Sequence, residues 1–286
     1  MNEDTGGSWQ QLTVQCEPAL AARIAELLEL AEPTVMDVPA ADSGRTDLRA
    51  LFPAGQILTG LISVLHGLGE CECALTGIPE QDWLAVSRDA WSPVALGDNV
   101  WMGPGWCAPP EAARLYLKID PGQAFGTGQH PTTRLCLRWL IKNAADGLPA
   151  TAIDYGCGSG ALAISAAQLG VKKVLATDID PLALAATTDN AAANAVASRV
   201  ECIEPLVAAS MPPAPLLLAN ILLRPLQALA PQLVRLVTTD GRIVLSGILR
   251  SQVEACRDSY SAWFTFAPAE FEDDWALLVG QRRADS

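Results

Sequence analysis

The chain has 286 residues, half of them hydrophobic and 18% charged, the balance of a globular protein long enough for two domains. A net charge of −13 argues against a nucleic-acid surface, which needs a basic stripe, so no direct nucleic-acid binding is expected. Two histidines and eight cysteines, with Cys71-x-Cys73 as the only close pair, leave no metal-ligand set.

The first residues, Met1-Asn2-Glu3-Asp4, lack the apolar core of a signal peptide. The most apolar stretch, 215–237, is broken by Asn220, Arg224, Pro225 and Pro231, so no membrane span is expected. A cytoplasmic, monomeric protein is the expectation. Residues 12–16 alternate as a half-buried strand, and Pro18 opens a helix with Leu20, Ile24, Leu27 and Leu28 on one face. Strands are expected at 34–38 and 47–52, a second helix at 56–65 and a closing strand at 71–75. This β-α-β-β-α-β order is the split βαβ, ferredoxin-like motif, and domain 1 is set at 1–78.

A linker is expected at 79–112, where Trp83, Trp91, Trp101 and Trp106 alternate with glycines and proline. These tryptophans read as packing between domains rather than as a peptide-binding surface. From 113 to 286 strands and helices alternate. Strands are expected at 151–154, 174–178, 200–203, 216–219 and 242–246, with helices at 181–194 and 225–236 between them. Alternation of this kind gives a parallel, doubly wound sheet. At the end, 264–266 and 275–279 are two strands joined by the acidic stretch 270–274. That connection is too short for a parallel crossover and predicts an antiparallel hairpin.

Asp154-Tyr155-Gly156-Cys157-Gly158-Ser159-Gly160 follows a strand and precedes a helix. Glycines allow a tight turn and close backbone approach to a ligand, and a helix start presents unpaired N–H groups. Gly156-x-Gly158-x-x-Ala161 satisfies a dinucleotide fingerprint, while Gly156-x-Gly158-x-Gly160 led by Asp154 fits an S-adenosylmethionine pocket. Both need an acid after the next strand to hold ribose hydroxyls, and Asp178 stands there. The antiparallel hairpin favours the methyltransferase variant, a class I α/β fold, over a dehydrogenase. Asn220, at the end of the fourth strand of the alternating region, should meet Gly156 and Asp178 outside the strand ends.

The segment 120–133, Asp-Pro-Gly-Gln-Ala-Phe-Gly-Thr-Gly-Gln-His-Pro-Thr-Thr, completes the pattern. Together with the glycine turn, Asp178-Ile179-Asp180-Pro181 and Asn220-Ile221-Leu222, it resembles the ribosomal protein L11 methyltransferases, the PrmA-type protein-lysine methyltransferases. The resemblance is specific over 115–286 and rests on topology over 1–110. It implies a substrate-recognition domain, a linker and a catalytic domain that uses S-adenosylmethionine to methylate lysine and N-terminal amines of ribosomal protein L11. It also implies cofactor contacts at Thr133, Gly156, Asp178 and Asn220. Gln129, Leu223 and Ser87 depart from the usual family residues (threonine, alanine and tryptophan) outside the pocket pattern.

Methyl transfer from a sulfonium asks the protein mainly to align donor and acceptor, which supplies about 7–11 kcal/mol. The acceptor amine must be neutral, a state reached by about 1 in 2500 free lysines at pH 7. Asn220 is assigned the catalytic part: its side-chain carbonyl accepts the amine's hydrogens and aims the lone pair. His130 is a helix-entry residue rather than a base, since Pro131 suits the first helical position. Phe125 and Thr127 are expected beside the cofactor, and Cys157 is a small filler of the turn. The alternative is a methyltransferase of the same fold acting on another protein or a small-molecule amine. A dehydrogenase and an acidic, non-catalytic chaperone are the more distant readings.

Overall fold

A computed structural model describes residues 9–31, 33, 35–37, 45–78, 92–97, 99–120, 130–208 and 210–284. The chain divides into two compact units, 1–88 and 89–286.

In the first unit, β1 (Trp9–Cys16) alternates in burial, with Leu12, Val14 and Cys16 inside. Helix α1 (Pro18–Leu30) buries Ile24, Ala25 and Leu28. After β2 (Val35–Asp37), strand β3 (Thr46–Pro53) sets Leu48, Ala50 and Phe52 inside. Leu12 lies opposite Ala50, and Val14 opposite Leu48, so the apolar sets of two strands share one face. Helix α2 (Thr59–His66) and β4 (Cys71–Ile78) complete an antiparallel sheet of order β2-β3-β1-β4, the split βαβ arrangement.

Helix α2 starts three residues later than its apolar pattern predicts, because Gln56 is engaged elsewhere. Its amide donates to Pro53 O (3.0 Å), its side chain donates to Ala31 O (2.8 Å), and its carbonyl accepts from Gln10 Nε2 (2.6 Å).

The second unit opens with β5 (Val94–Gly97) and β6 (Val100–Gly103), an antiparallel pair turning at Asn99 with φ 60°. Strand β7 (Leu115–Lys118) runs parallel to β6. Part of the stretch expected as a linker is thus a small sheet of this unit. Trp101 lies in β6; Trp83 and Trp91 lie outside the described residues.

Helix α3 (Pro131–Ala144) leads into the alternating region. There follow β8 (Thr151–Tyr155), α4 (Ala161–Gln168), β9 (Lys173–Thr177), α5 (Pro181–Ala193), β10 (Val200–Ile203) and α6 (Pro205–Ala208). Then come β11 (Ala214–Asn220), α7 (Leu223–Arg235), β12 (Val237–Leu249) and α8 (Val253–Tyr260). The chain closes with β13 (Phe264–Phe266), β14 (Glu270–Glu272) and β15 (Trp275–Arg282).

The sheet order is β10-β9-β8-β11-β12-β15-β13, parallel from β10 to β12. Strand β15 is antiparallel to both its neighbours and inserts between β12 and β13. This is the class I methyltransferase arrangement expected from the sequence. One detail differs: 270–272, read as plain connection, pairs with β15 as a third strand. Glu270-Phe271-Glu272 alternates polar and apolar, but the acidic flanks hide that period.

Leu217, Ile243 and Leu245 of the sheet, Leu226, Ala230 and Leu233 of α7, and Tyr260 of α8 form one buried cluster. Each large aliphatic side chain fully removed from water there contributes about 1.5–3 kcal/mol. The Tyr260 hydroxyl donates to Leu226 O at 2.6 Å, which satisfies the one polar atom that this ring brings inside.

Candidate active site

The site forms where β8 ends. Gly156, Gly158 and Gly160 all have positive φ (80°, 53° and 82°), which explains why the turn is written in glycine. The amides of Gly156 and Cys157 both donate to Thr177 O, at 2.8 and 3.0 Å, so the turn lies against the end of β9. Asp178, the next residue, accepts from Gly158 N at 2.9 Å through one oxygen and from Asp180 N at 3.1 Å through the other. Asp180 itself caps α5, accepting from Leu182 N at 2.9 Å with Pro181 at the first helical position. Of the two acids, only Asp178 is thus joined to the glycine turn.

Asp154 lies under the turn with no exposure and accepts from Ala163 N at 2.9 Å. Its other oxygen is buried without a partner. Burial raises its pKa to about 7, the Ala163 hydrogen bond opposes the rise, and the negative charge of Asp178 adds to it. Cys157 is buried, its sulfur lies 3.3 Å from the Thr187 hydroxyl, and its thiol pKa is raised by that burial. It is therefore held as a thiol, in keeping with a filler of the turn.

Thr133 comes from the first turn of α3 and Asn220 from the end of β11. Both line one pocket with Gly156, Cys157, Gly158, Ala161 and Leu162. Asn220 Nδ2 donates to Thr133 Oγ1 at 3.2 Å, while Asn220 Oδ1 is buried with no partner. An amide carbonyl left without a donor inside a pocket is costly unless a ligand supplies one.

The start of α3 is fixed from the C-terminal strands. Arg134 Nε and Arg138 Nη1 donate to the two oxygens of Glu272 in β14, at 2.7 and 2.9 Å. The His130 ring meets Trp275 of β15 edge-on at 4.7 Å. His130 Nδ1 accepts from the Thr132 amide (3.4 Å) and faces the Thr132 hydroxyl (2.7 Å). His130 is thus the N-cap of the helix, with Pro131 at its first position. Phe125 and Thr127 lie outside the described residues.

Sequence reasoning missed the support from α5. Asn190 Nδ2 donates to Ser159 O (2.9 Å), and its Oδ1 accepts from Asp120 N (3.1 Å). One turn on, Asn194 pairs with both main-chain groups of Lys118, at 2.9 and 2.6 Å. Thr187 donates to Gly158 O at 3.0 Å. The signal was available: Thr187, Asn190 and Asn194 form a polar stripe at helical spacing on an alanine-rich helix, and all three are buried.

The glycine turn and the carboxylate joined to it offer what a nucleoside cofactor needs, close main chain and acceptors for ribose hydroxyls. The pocket wall is made of small residues and close backbone, and it holds one unsatisfied carbonyl. The carboxylate stands beside it with lone pairs to spare for hydroxyls, since each oxygen of Asp178 accepts only one of the N–H groups described above. Among the described residues no group of side chains is arranged to hold a metal.

A family model described as ribosomal protein L11 methyltransferase (PrmA) matches residues 8–283. The ribosomal protein L11 methyltransferase of Thiobacillus denitrificans is 36% identical over 299 residues, covering 96% of this chain and 99% of its own. That of Pseudomonas paraeruginosa is 44% identical over 247 residues, covering 84% and 82%. A crystal structure of the ribosomal protein L11 methylase of Lactobacillus delbrueckii subsp. bulgaricus superposes with a TM-score of 0.60 at 32% identity, over 67% of this chain and 98% of that one.

Proposed function

The chain belongs to the ribosomal protein L11 methyltransferase family and is an S-adenosylmethionine-dependent methyltransferase, and we propose that it methylates lysine side chains and the N-terminal amine of ribosomal protein L11. The observation that carries the chemistry is the buried, unpartnered Asn220 Oδ1 beside the glycine turn.

Bound S-adenosylmethionine supplies a methyl group already activated by a sulfonium. The chain's own residues do the rest. Asp178 holds ribose hydroxyls with the lone pairs left over from Gly158 and Asp180. Gly156 and Gly158 admit the cofactor against main chain, and Thr133 orients Asn220. Asn220 Oδ1 accepts an N–H of the incoming amine, which turns the nitrogen lone pair away from Asn220 and toward the pocket. This acceptor engages only an amine that has an N–H to give, and the neutral form keeps its lone pair. Removal of water around a lysine amine lowers its pKa and raises the neutral fraction.

Residues 1–78 are read as the substrate-recognition domain and 113–286 as the catalytic domain, which takes in the small sheet that part of the 79–112 linker forms. The excess of acidic residues favours encounter with a basic protein rather than with bare nucleic acid. No described helix is long and apolar enough to cross a membrane. We further propose that the protein acts in the cytoplasm, as a monomer. The test is mass spectrometry of purified ribosomal protein L11 incubated with this chain and S-adenosylmethionine. Increments of about 14 Da per methyl on lysines or the N-terminal amine support the reading, whereas unmodified protein with cofactor binding intact moves the activity to another amine.

A further inference from the structure

Ile221 follows Asn220 and sits between two glycines that are 91 residues apart in sequence. On one side, a Cβ at Gly156 would stand 2.4 Å from Ile221 Cγ2. On the other, a Cβ at Gly247 would stand 2.5, 2.7 and 2.9 Å from the main-chain O, C and N of Ile221. Both glycines have positive φ, 80° and 85°. Gly247 lies in β12 where the pairing with β15 slips between Leu245 and Ile248, while on its other edge Ser246 stays in register with Asn220. A glycine within a strand at such a slip marks a close approach of another backbone.

We infer that Ile221 is a positioning residue, its main chain seated in the notch at Gly247 and its side chain wedged over Gly156. It thereby sets the distance between Asn220 and the cofactor turn. The two contacts differ in kind: β12 meets the peptide and cannot be relieved by shortening the side chain, whereas the turn meets a methyl group. Asn220 is held from one side by Thr133 and along its own backbone by this wedge, so its carbonyl has one position relative to Gly156. The inference rests on the methyl-transfer reading for its kinetic part and on cofactor binding alone for the rest.

The kinetic test compares Ile221→Ala with Ile221→Val on ribosomal protein L11. Alanine removes Cγ2 and is expected to lower kcat about 10- to 100-fold, as misplacement of a reacting group does. Valine keeps the β-branch and is expected to restore most of it, with cofactor affinity within about threefold of wild type in both, less than one hydrogen bond's worth. Gly247→Ala is expected to lower kcat without recovery when combined with Ile221→Ala. Equal kcat in Ile221→Ala and wild type would overturn the wedge.

The binding test titrates S-adenosylmethionine by calorimetry into Gly156→Ala and into Gly156→Ala/Ile221→Ala. The single variant is expected to bind more weakly and the double variant to regain part of the loss. No recovery overturns the contact over Gly156. Should wild type leave ribosomal protein L11 unmodified, the substrate reading fails and this titration still decides the wedge.

Discussion

Asn220 and Thr133, 87 residues apart in sequence, meet through a single hydrogen bond in which the amide nitrogen donates to the hydroxyl oxygen at 3.2 Å. In this arrangement the amide nitrogen is the end that is spent. With the nitrogen occupied, the oxygen is the end left for a ligand.

Thr133→Val keeps the shape and removes the acceptor. It is expected to lower kcat about 2- to 10-fold, the worth of one ordinary hydrogen bond, while Thr133→Ser retains activity. Single-turnover methyl transfer measures both; a valine variant as fast as wild type removes Thr133 from the orienting role.

Asp178→Ala releases the Gly158 amide and removes the acceptor proposed for ribose hydroxyls. Affinity for S-adenosylmethionine is expected to fall about 10- to 100-fold, the worth of about one charge-assisted hydrogen bond. Titration calorimetry reads the change, and unchanged affinity would remove Asp178 from the site.

The turn itself was legible because its chemistry is local. Positive φ at three positions demands glycine, and an acid one strand later demands a use. The Asn220 segment was legible through its place at a strand end. The wedge was not, because it joins groups distant in sequence and leaves no period in any one segment. The α5 clamp did leave a polar stripe at helical spacing, but its partners, Lys118, Asp120 and Ser159, lie far off in sequence. Gly247 within Val244-Leu245-Ser246-Gly247-Ile248 did carry a hint, since glycine inside a strand marks a slip or a close neighbour. The third C-terminal strand was hidden by its charge, which is spent on Arg134 and Arg138 rather than on water.

Asp154 makes stability depend on pH in a defined direction. Its folded pKa of about 7 lies above that of a free aspartate, about 3.9, so between those values the native state binds the extra proton. Stability from this group is present below about pH 4 and is lost as pH rises toward 7. Asp154→Asn removes that dependence. Urea unfolding from pH 5 to pH 8 should show wild type losing ground to the asparagine variant, and a gain would refute the buried, raised carboxyl.

His130→Ala removes a helix cap and the edge contact with Trp275, and is expected to lower stability by about 0.5–2 kcal/mol. His130→Asn supplies another capping side chain and should recover the cap's share. The acidic limb of the pH–rate profile should be the same in all three proteins; a lost limb in His130→Ala would make the ring a base after all.

The insertion of β15 between β12 and β13 has a consequence for the order in which the domain can be completed. During synthesis the chain emerges from its N-terminal end, so β12 and β13 both exist before the strand that separates them. Until residue 282 has been made, β12, β13 and β14 lack the strand with which each pairs in the finished sheet, and the Trp275 contact with His130 is not secured. The helix that carries Thr133 therefore gains the Trp275 contact from β15, which is translated after β12, β13 and β14. A nascent chain can hold the glycine turn early, but it acquires a settled pocket only when this strand slots into place.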